Sequence, residues 1–337
     1  MAETAARFSA PPDSARRIAI IGVGTAGLHH ARAAMALGHR ITKASARSES
    51  SARWQAFQAT VPGVQFEAVA DNLLVDPEID AIVAALPWDV MPQWLARLVS
   101  CRKSVLLEKP VALSAGAIEA VLAHPNAAPG NKLVGFNRRF YGTVARLRTR
   151  IAEGGLKAAQ IVISEPLDRH IRVHGPAVVP HVLSFSSAHT LDLAWHLLGP
   201  MAVVRVYAHR EVESAFTCLN GLVETAGGTP VSLAINANDP APAGIRFLFD
   251  DHTSWLLAPL ETLTVYDRYD VNEARPHSAI RRYVPHACWT YEESAELKPG
   301  FVEQMSVFLS GEYGPGARLT DALAIQRFVE TLMGTAR

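Results

Sequence analysis

Hydrophobic residues in the first 137 positions form short runs that alternate with helix-like segments. Six runs have the β-branched or aliphatic character of buried strands, and they lie at Ile18–Ile21, Arg40–Ser45, Val64–Val69, Ile79–Ala85, Val105–Leu107 and Lys132–Phe136. Helical segments such as Leu28–Leu37 lie between them, and Ser114 is a candidate N-cap for a helix reaching about His124. This alternation predicts a doubly wound parallel sheet over residues 17–137.

The pattern changes after about residue 138. A helix is predicted over Phe140–Glu153, and six strand-like runs then follow with Gly-, Asp- and Pro-rich turns: Gln160–Ser164, Val203–Ala208, Leu219–Glu224, Val231–Asn236, Ile245–Phe249 and Thr262–Tyr266. Helical signals return at Gly300–Leu309 and Thr320–Met333, with Thr320 as the expected N-cap. We therefore expect a flexible lead-in over 1–16 and an α+β domain with a largely antiparallel sheet over 138–337.

Composition narrows the class of protein. The 337 residues contain 32 Lys plus Arg and 32 Asp plus Glu, so the net charge is zero and gives no electrostatic reason to expect nucleic acid or an anionic membrane as partner. No apolar stretch approaches the ~18 residues of a membrane span. The three cysteines are far apart and form no C-x-x-C pair, which argues against disulfides and thiolate zinc sites. We expect a cytoplasmic protein with a small-molecule substrate.

A glycine-rich loop joins the first predicted strand to the first predicted helix. It reads Gly22-Val23-Gly24-Thr25-Ala26-Gly27. In this context Gly22 permits the tight turn, Gly24 lets the backbone approach a pyrophosphate, and Gly27 allows close helix–strand packing. The helix N-terminus supplies N–H groups for the phosphates. An ordinary glycine turn is the alternative, and the strand–loop–helix context favours dinucleotide binding.

The end of the second strand bears on the choice of cofactor. NAD enzymes usually carry an acid there for the ribose 2′-hydroxyl, whereas this sequence has no carboxylate before Glu49. Arg47 and Ser48 are suited to a 2′-phosphate, so we favour NADP(H) over NAD(H). The alternative is that Arg47 is a solvated loop residue.

Glu108-Lys109-Pro110 follows a buried strand at the carboxyl edge of the predicted sheet, where open α/β folds bind ligands. A lysine beside a nicotinamide can exchange the proton that accompanies hydride transfer. Taken alone, the tripeptide has little specificity, and a surface lysine is the favoured interpretation.

The order of several motifs resembles the glucose–fructose oxidoreductase / inositol dehydrogenase (Gfo/Idh/MocA) family. The glycine loop is followed by Asp76–Val83 and then by Glu108-Lys109-Pro110. The later motifs are Gly135–Phe140, His189–Asp192 and Trp195–Gly199. The resemblance covers nearly the whole chain. It implies a Rossmann domain, a C-terminal α+β domain with a large open antiparallel sheet, and NAD(P)-dependent redox chemistry on sugars, inositols or nucleotide-linked sugars. It also implies a homodimer or homotetramer formed across the outer face of the C-terminal sheet.

The resemblance also assigns roles to individual residues. Lys109 resembles the lysine that contacts the nicotinamide ribose and the substrate, and His189 resembles the active-site histidine. Asn137 and Arg138 are expected to shape the wall of the site, whereas Arg139 is expected to form an interdomain salt bridge. The second cofactor motif corresponds to Leu86-Pro87-Trp88.

Helical spacing places His189, Asp192 and His196 on one face, so that Asp192 can orient an imidazole. The alternative is a structural role, in which His189 caps a helix start and His196 packs in the core. We favour function for His189 and packing for His196.

Two positions depart from the family pattern. Many active members carry an aspartate four residues before the histidine, where this chain has Phe185, which cannot exchange a proton. Acid/base work would then fall on Lys109, His189 or His181. Family members often read Thr-Pro-Asn with a histidine three residues beyond the Asn, where this chain has Leu86-Pro87-Trp88 and Met91. Trp88 either stacks near the nicotinamide or packs between domains.

A basic segment, Asp168–Pro180, is predicted to be a loop over the active site. Arg169 and Arg172 lie in it, and they are candidates for a substrate diphosphate. Its histidines show no accompanying carboxylate or Cys pattern, so we expect no metal site.

Three functional classes remain open from the sequence. An NAD(P)-dependent oxidoreductase acting on a sugar-like hydroxyl or carbonyl carbon leads. The others are a catalytically silent NAD(P)-binding regulator or scaffold, and a non-redox enzyme that uses tightly bound NAD transiently.

Overall fold

The computed structural model describes residues 15–210, 216–277, 279–294 and 296–335. The chain divides into two compact units, the first comprising Met1–Phe140 with Ala295–Ala324 and the second comprising Tyr141–Ser294 with Ile325–Arg337. The lead-in expected over residues 1–16 falls almost entirely outside the described residues.

The first unit is built on a six-stranded parallel sheet. Its strands and helices are β1 Arg17–Ile21, α1 Thr25–Ala36, β2 Arg40–Ser45, α2 Ala52–Thr60, β3 Gln65–Phe66, α3 Ala70–Val75, β4 Ala81–Ala84, α4 Met91–Ser100, β5 Ser104–Leu107, α5 Ala115–Leu122 and β6 Lys132–Val134. The strand order β3-β2-β1-β4-β5-β6 confirms the predicted doubly wound Rossmann topology.

Burial on both faces explains the apolar runs of this sheet. Ile18 and Ile20 of β1 and Ile82 and Val83 of β4 are fully buried, as parallel strands covered by helices on both faces require. The chain moves outward from β1 in one direction and from β4 in the other, so the carboxyl ends of these two strands flank the crevice where doubly wound folds bind ligands.

The second unit is built on an eight-stranded mixed sheet. Its elements are α6 Gly142–Ala152, β7 Leu156–Glu165, α7 Leu167–His174, a 3-10 helix Pro176–His181, a π-helical turn Leu183–Ser187, α8 Ala188–Leu198, β8 Met201–Arg210, β9 Phe216–Thr225, β10 Pro230–Ala237, β11 Gly244–Phe249, β12 Ser254–Leu257, β13 Thr262–Asn272 and β14 Arg282–Glu292. In the order β14-β13-β12-β11-β7-β10-β9-β8, only the β7–β10 pair is parallel among the described strands. The mainly antiparallel C-terminal sheet is therefore confirmed.

Two helices complete the chain, α9 Phe301–Ser310 and α10 Leu319–Thr335. Sequence analysis assigned everything after residue 138 to one domain, whereas Ala295–Ala324 clusters with the first unit. The reason is packing: Phe301 of α9 contacts the His30 ring of α1 at a centroid distance of 4.7 Å. Met305 and Phe308 join the same core as Ile18 and Ile20.

The predicted loop over 168–180 is wrong. Most of this segment is helical, forming α7 and the 3-10 helix, with Gly175 (φ 80°) between them. A glycine tolerates this left-handed φ without the steric cost of a Cβ.

Among the residues that the structure describes, no helix has the length and apolar character needed to cross a bilayer. The same residues contain no group of three or more His, Cys, Asp and Glu side chains placed to hold a metal ion.

Candidate functional site

The glycine loop closes tightly around two backbone contacts. Gly22 has φ +97°, and a Cβ there would lie 2.3 Å from the Ala85 carbonyl oxygen. A Cβ on Gly27 would lie 2.2 Å from the Gly22 carbonyl oxygen. The Gly22 N–H also donates to the Ser45 carbonyl oxygen at 2.9 Å. These contacts join the ends of β1, β2 and β4, so glycine is sterically required at both positions.

Gly24 differs from its two neighbours because a Cβ there would meet nothing within 4 Å. It is the N-cap of α1 and provides no side-chain hydrogen bond to the helix end. Thr25 is exposed and Ala26 is half-buried. The open space faces the positive end of the helix dipole, so the loop fits a pyrophosphate that approaches the backbone.

The residues expected to choose the cofactor lie in the turn after β2. Arg47 is exposed, and Ser48 Oγ lies 2.8 Å from Ser50 Oγ and accepts from the Ser50 N–H at 3.2 Å. The exposed Glu49 is the first carboxylate after the strand. The turn therefore has an arginine and a serine at the place where NAD enzymes usually have the acidic side chain that binds the ribose 2′-hydroxyl.

The second cofactor segment follows β4. Leu86 and Trp88 are half-buried and Pro87 is exposed, and the Pro87 carbonyl oxygen accepts from the Val90 and Met91 N–H groups at the start of α4. Met91 itself is fully buried. This position therefore contributes to the core of the first unit rather than to a polar contact.

A buried histidine–carboxylate pair stands directly before Lys109. Glu108 follows β5, and its Oε1 lies 2.8 Å from Nε2 of His30, which is fully buried on α1. Its Oε2 accepts from the Lys109 N–H at 3.3 Å. Gly135 leaves room for this carboxylate, since a Cβ there would lie 2.8 Å from the Glu108 carboxyl carbon. The half-buried Lys109 thus follows a carboxylate that is hydrogen-bonded to His30 of α1.

The next motif, Asn137–Phe140, is a short 3-10 helix in the first unit. Asn137 is buried and donates to the Pro299 carbonyl oxygen at 3.0 Å, while Arg138 is half-buried. Arg139 is buried 3.6 Å from Asp321. Both residues belong to the first unit, so this ion pair lies within one unit, and an interdomain role of Arg139 stays a prediction.

The second unit brings the predicted His189, Asp192 and His196 onto α8. Asp192 is 1 % exposed, whereas His189 and His196 are half-buried. His181 is half-buried at the end of the 3-10 helix, and Arg169 is exposed on α7.

A cluster that sequence analysis missed lies at the end of β7. Glu165 is 1 % exposed, with Oε1 2.8 Å from His170 Nε2 and Oε2 accepting from Ser187 Oγ at 2.5 Å. The sequence contained a pattern that could have revealed it. Ile161, Ile163 and Glu165 occupy alternating buried positions of one strand, which places the Glu165 carboxylate on the core face. Phe185 contacts the His170 and His174 rings at 5.2 and 4.9 Å.

Comparison with known proteins agrees with this geometry. The model of the oxidoreductase family with an NAD-binding Rossmann fold, GFO_IDH_MocA, matches residues 16–134. The match therefore covers the strands β1 to β6 of the first unit. Inositol 2-dehydrogenase 1 of Saccharopolyspora erythraea is 29 % identical over 66 % of this chain and 67 % of its own length. Inositol 2-dehydrogenase of Mycolicibacterium smegmatis is 29 % identical over 59 % of this chain and 54 % of its own, so the match spans about half of that relative.

Solved structures of other oxidoreductases share the fold over nearly the whole chain. A myo-inositol dehydrogenase from Corynebacterium glutamicum gives a TM-score of 0.70 at 17 % identity, covering 96 % of this chain and 97 % of that one. A 3-ketoreductase from Actinomadura kijaniata, solved with NADP and TDP-benzene, gives 0.69 at 17 % identity over 96 % and 98 %. The family model and these structures agree that residues 16–134 form a Rossmann fold.

Proposed function

We propose that this protein is an NAD(P)-dependent dehydrogenase or reductase that transfers a hydride between nicotinamide and a hydroxyl or carbonyl carbon of a sugar-like substrate. The observation that carries the proposal is the open space at Gly24, which lies at the carboxyl end of β1. Lys109 lies at the same edge of the sheet, after β5, and β4 separates β5 from β1. The bound nicotinamide would supply the hydride acceptor or donor. The residues of the chain would bind it and move the proton.

Lys109 is the first proposed proton-transfer group. The buried pair His30–Glu108 holds the backbone N–H of Lys109 and so sets where its side chain begins. His189 is the second proposed acid/base group, because imidazole exchanges protons near neutral pH. Asn137, Arg138, Arg169, His181 and Asp192 are proposed substrate contacts.

We propose NADP(H) as the preferred cofactor. The support is the exposed Arg47 beside Ser48 after β2, with no carboxylate earlier in the turn. Replacing Arg47 with Ala is expected to weaken NADPH binding about 10-fold, since hydrogen bonds to charged groups contribute about 1.5–3 kcal/mol, and to leave NADH binding unchanged. Arg53→Ala, an exposed arginine on α2, is the matched control. Equal effects of Arg47→Ala on both cofactors would contradict the preference.

The deciding experiment is fluorescence titration with NADPH and NADH, followed by a substrate screen with the tighter cofactor. The names of the relatives suggest inositols and nucleotide-linked sugars as the substrate classes to test first. Lys109→Ala is expected to lower kcat about 100-fold or more, whereas Lys157→Ala, an exposed lysine on β7, should leave it unchanged. Wild-type turnover in Lys109→Ala would overturn the assigned role. Tight binding without turnover of any substrate would favour the regulatory alternative.

We also propose a homodimer or homotetramer formed across the open face of the eight-stranded sheet. Tyr207 and Leu222 on β8 and β9 are 53 % and 42 % exposed. Exposed apolar patches of this kind mark association surfaces. Light scattering after size exclusion tests the assembly, and a monomer at micromolar concentration would contradict it.

A further inference from the structure

The first unit contains a cavity at the edge of its sheet opposite the glycine loop, which we call the amino-edge pocket. Arg17 and Arg40 line it and begin β1 and β2, and the loop 61–63 that leads into β3 also lines it. Its volume of about 560 Å³ is ordinary for a site that binds a small molecule. At roughly 3.3 Å per residue, β2 separates Arg40 by roughly 16 Å from Ser45, whose carbonyl oxygen accepts from the Gly22 N–H.

A β-bulge places Thr42 at this pocket. In the parallel pairing of β1 with β2, Ile18 is opposite Ile41 and Ala19 is opposite Lys43, so Thr42 is an extra residue of β2. Bulges are rare in parallel pairs, and they redirect the side chain of the extra residue. Thr42 lines the pocket, and its Oγ1 is buried without a hydrogen-bond partner among the described residues. A buried hydroxyl in this state is costly and requires an explanation.

His39 provides a second hydrogen-bond donor at the pocket. It is 8 % exposed, and its Nδ1 accepts from the Arg16 N–H at 3.1 Å. Burial lowers the pKa of His39, with the charge of Arg16 as a smaller cause, so the ring is mainly neutral at pH 7. A neutral ring whose Nδ1 accepts carries its hydrogen on Nε2. This Nε2–H has no hydrogen-bond partner among the residues that the structure describes.

The charged side chains around the pocket leave one cation unpaired. Two of the three cationic side chains that line it are bound to carboxylates, in the pairs Arg17–Asp80 at 3.2 Å, Lys43–Asp76 at 2.7 Å and Lys43–Glu78 at 3.5 Å. The third, Arg40, is exposed and forms no ion pair with a described residue. The pocket therefore combines one unpaired positive charge with two unpaired neutral donors.

Apolar walls and helix ends limit the kind of ligand that fits. Met35 and Val61 line the pocket at the C-terminal ends of α1 and α2, and Ile41 and Pro62 complete this wall. The negative ends of the two helix dipoles oppose an anion of high charge at this edge. A monoanion with a hydrocarbon body therefore suits the pocket better than a phosphate dianion.

We propose that the amino-edge pocket binds the carboxylate of a small organic acid with an apolar body. The Arg40 guanidinium binds the carboxylate, and the Thr42 hydroxyl and the His39 Nε2–H donate to the same group. The hydrocarbon part packs against Met35 and Val61. The pocket is separate from the glycine loop, so the proposal does not depend on the redox function.

The first test titrates the full chain, labelled with carbon-13 at the methionine methyl groups, with hexanoate. Met35 lines the pocket, so its methyl signal should shift, whereas the signal of the fully buried Met91 in the same unit should not. Met35→Leu and Met91→Leu identify the two signals. Hexan-1-ol has the same chain length without the charge and should bind about 10-fold more weakly. An unshifted Met35 signal with hexanoate, or equal binding of hexan-1-ol, would overturn the proposal.

The second test removes the unpaired cation. Arg40→Gln should weaken hexanoate binding about 10-fold, because a charge-assisted hydrogen bond is lost. Arg53→Gln, at an exposed arginine of α2, is the matched control and should bind hexanoate like the wild type. Wild-type affinity in Arg40→Gln would overturn the site. Tighter binding of inorganic phosphate than of hexanoate would overturn the assigned class of ligand.

The third test replaces Thr42 with Val, which removes the hydroxyl and keeps the shape of the side chain. Because Oγ1 has no partner among the described residues, the thermal unfolding midpoint should stay the same or rise. Hexanoate binding should weaken about fivefold, since one donor to the carboxylate is lost. A lower midpoint would show that Oγ1 is already hydrogen-bonded, and an unchanged affinity would show that it does not contact the ligand. Either result would overturn the role of Thr42.

Discussion

The three loop glycines illustrate two different requirements at single residues. Gly22 and Gly27 are packed against backbone oxygens, whereas Gly24 faces open space at the start of α1. Protein packing thus explains the first two, and the third is explained by the approach of a ligand. Comparing variants at Gly27 and Gly24 separates these two causes.

Gly27→Ala should destabilise the protein by about 1–3 kcal/mol, because its Cβ would overlap the Gly22 carbonyl oxygen. Gly24→Ala should leave the free energy of unfolding within about 0.5 kcal/mol but weaken NADPH binding at least about tenfold. Urea unfolding and cofactor titration of both variants check this. Wild-type affinity in Gly24→Ala would contradict a pyrophosphate at this position.

The His30–Glu108 pair makes a second residue-scale prediction. His30→Leu should cost about 3–5 kcal/mol, since it leaves the buried Glu108 carboxylate without its partner. Glu108→Gln should cost much less, because the amide oxygen still accepts from Nε2 of His30. Urea unfolding of the two variants provides the measurement. Equal losses in the two variants would contradict a cost that comes from the unpaired carboxylate.

Helix caps show how far local sequence defines the elements. Ser114 was predicted as an N-cap, and its Oγ accepts from the Ala117 N–H at 3.3 Å at the start of α5. Thr320 was predicted to cap the last helix, but α10 begins at Leu319, and Asp321 accepts from the Arg318 N–H at 2.7 Å. The predicted cap was wrong by two residues, because the Asp321 side chain in the first turn accepts from the Arg318 N–H just before the helix.

Ser114→Ala should destabilise the protein by about 1 kcal/mol through the lost cap, and Ser114→Asp should retain most of the stability. Thermal and urea unfolding give the comparison. Thr60→Ala is the control, since Thr60 is a hydroxyl residue that lies at the end of α2 and caps no helix start. Indistinguishable Ser114→Ala and wild-type curves would contradict a stabilising cap.

Sequence analysis missed several elements, and for α7 and β14 the reason can be identified. The polar residues and histidines of α7 are typical of a loop, yet Leu167 and His170 are buried on one face of a helix that Gly175 ends. The edge strand β14 contains Pro285 and is largely exposed. It lacks the alternation that marks a half-buried strand, and proline is tolerated there because the strand lies at the sheet edge.

At the scale of the whole molecule, each unit has its own apolar core, and the chain visits the first unit twice. The domain boundary predicted near residue 138 lies close to the first crossing at Phe140. The sequence does not indicate that Ala295–Ala324 packs with the first unit. The reason is that α9 is an ordinary amphipathic helix, and such a pattern does not specify which core the helix packs against.

Lys132 is expected to make the stability of the protein vary with pH. Its fully buried ammonium group donates to the Cys101 and Lys103 carbonyl oxygens at 2.7 and 3.0 Å. Burial lowers the pKa of Lys132 from 10.5 to about 8. The unfolded chain therefore binds the proton more tightly. The free energy of unfolding should rise as the pH increases from about 8 to about 10.5, and this contribution is lost as the pH falls through 8.

Lys132→Met removes this group, so the difference in unfolding free energy between wild type and variant should change by up to about 3 kcal/mol across that window. Urea unfolding at several pH values measures it, with Lys157→Met as an exposed control. Parallel pH profiles for wild type and Lys132→Met would contradict the lowered pKa.

Local patterns were sufficient for the parallel sheet, the glycine loop and the antiparallel second sheet, because periodicity, turn residues and helix ends depend on neighbours in the chain. The positions of Lys109 and His189 also followed from motifs, although their roles stay predictions. Contacts between different elements emerged only on folding: His30 with Glu108, Arg139 with Asp321, and Glu165 with His170 and Ser187. The sequence does not reveal such pairs, because each partner alone is an ordinary polar residue. Only folding buries the two together, and a buried polar group is costly unless it has a hydrogen-bond partner.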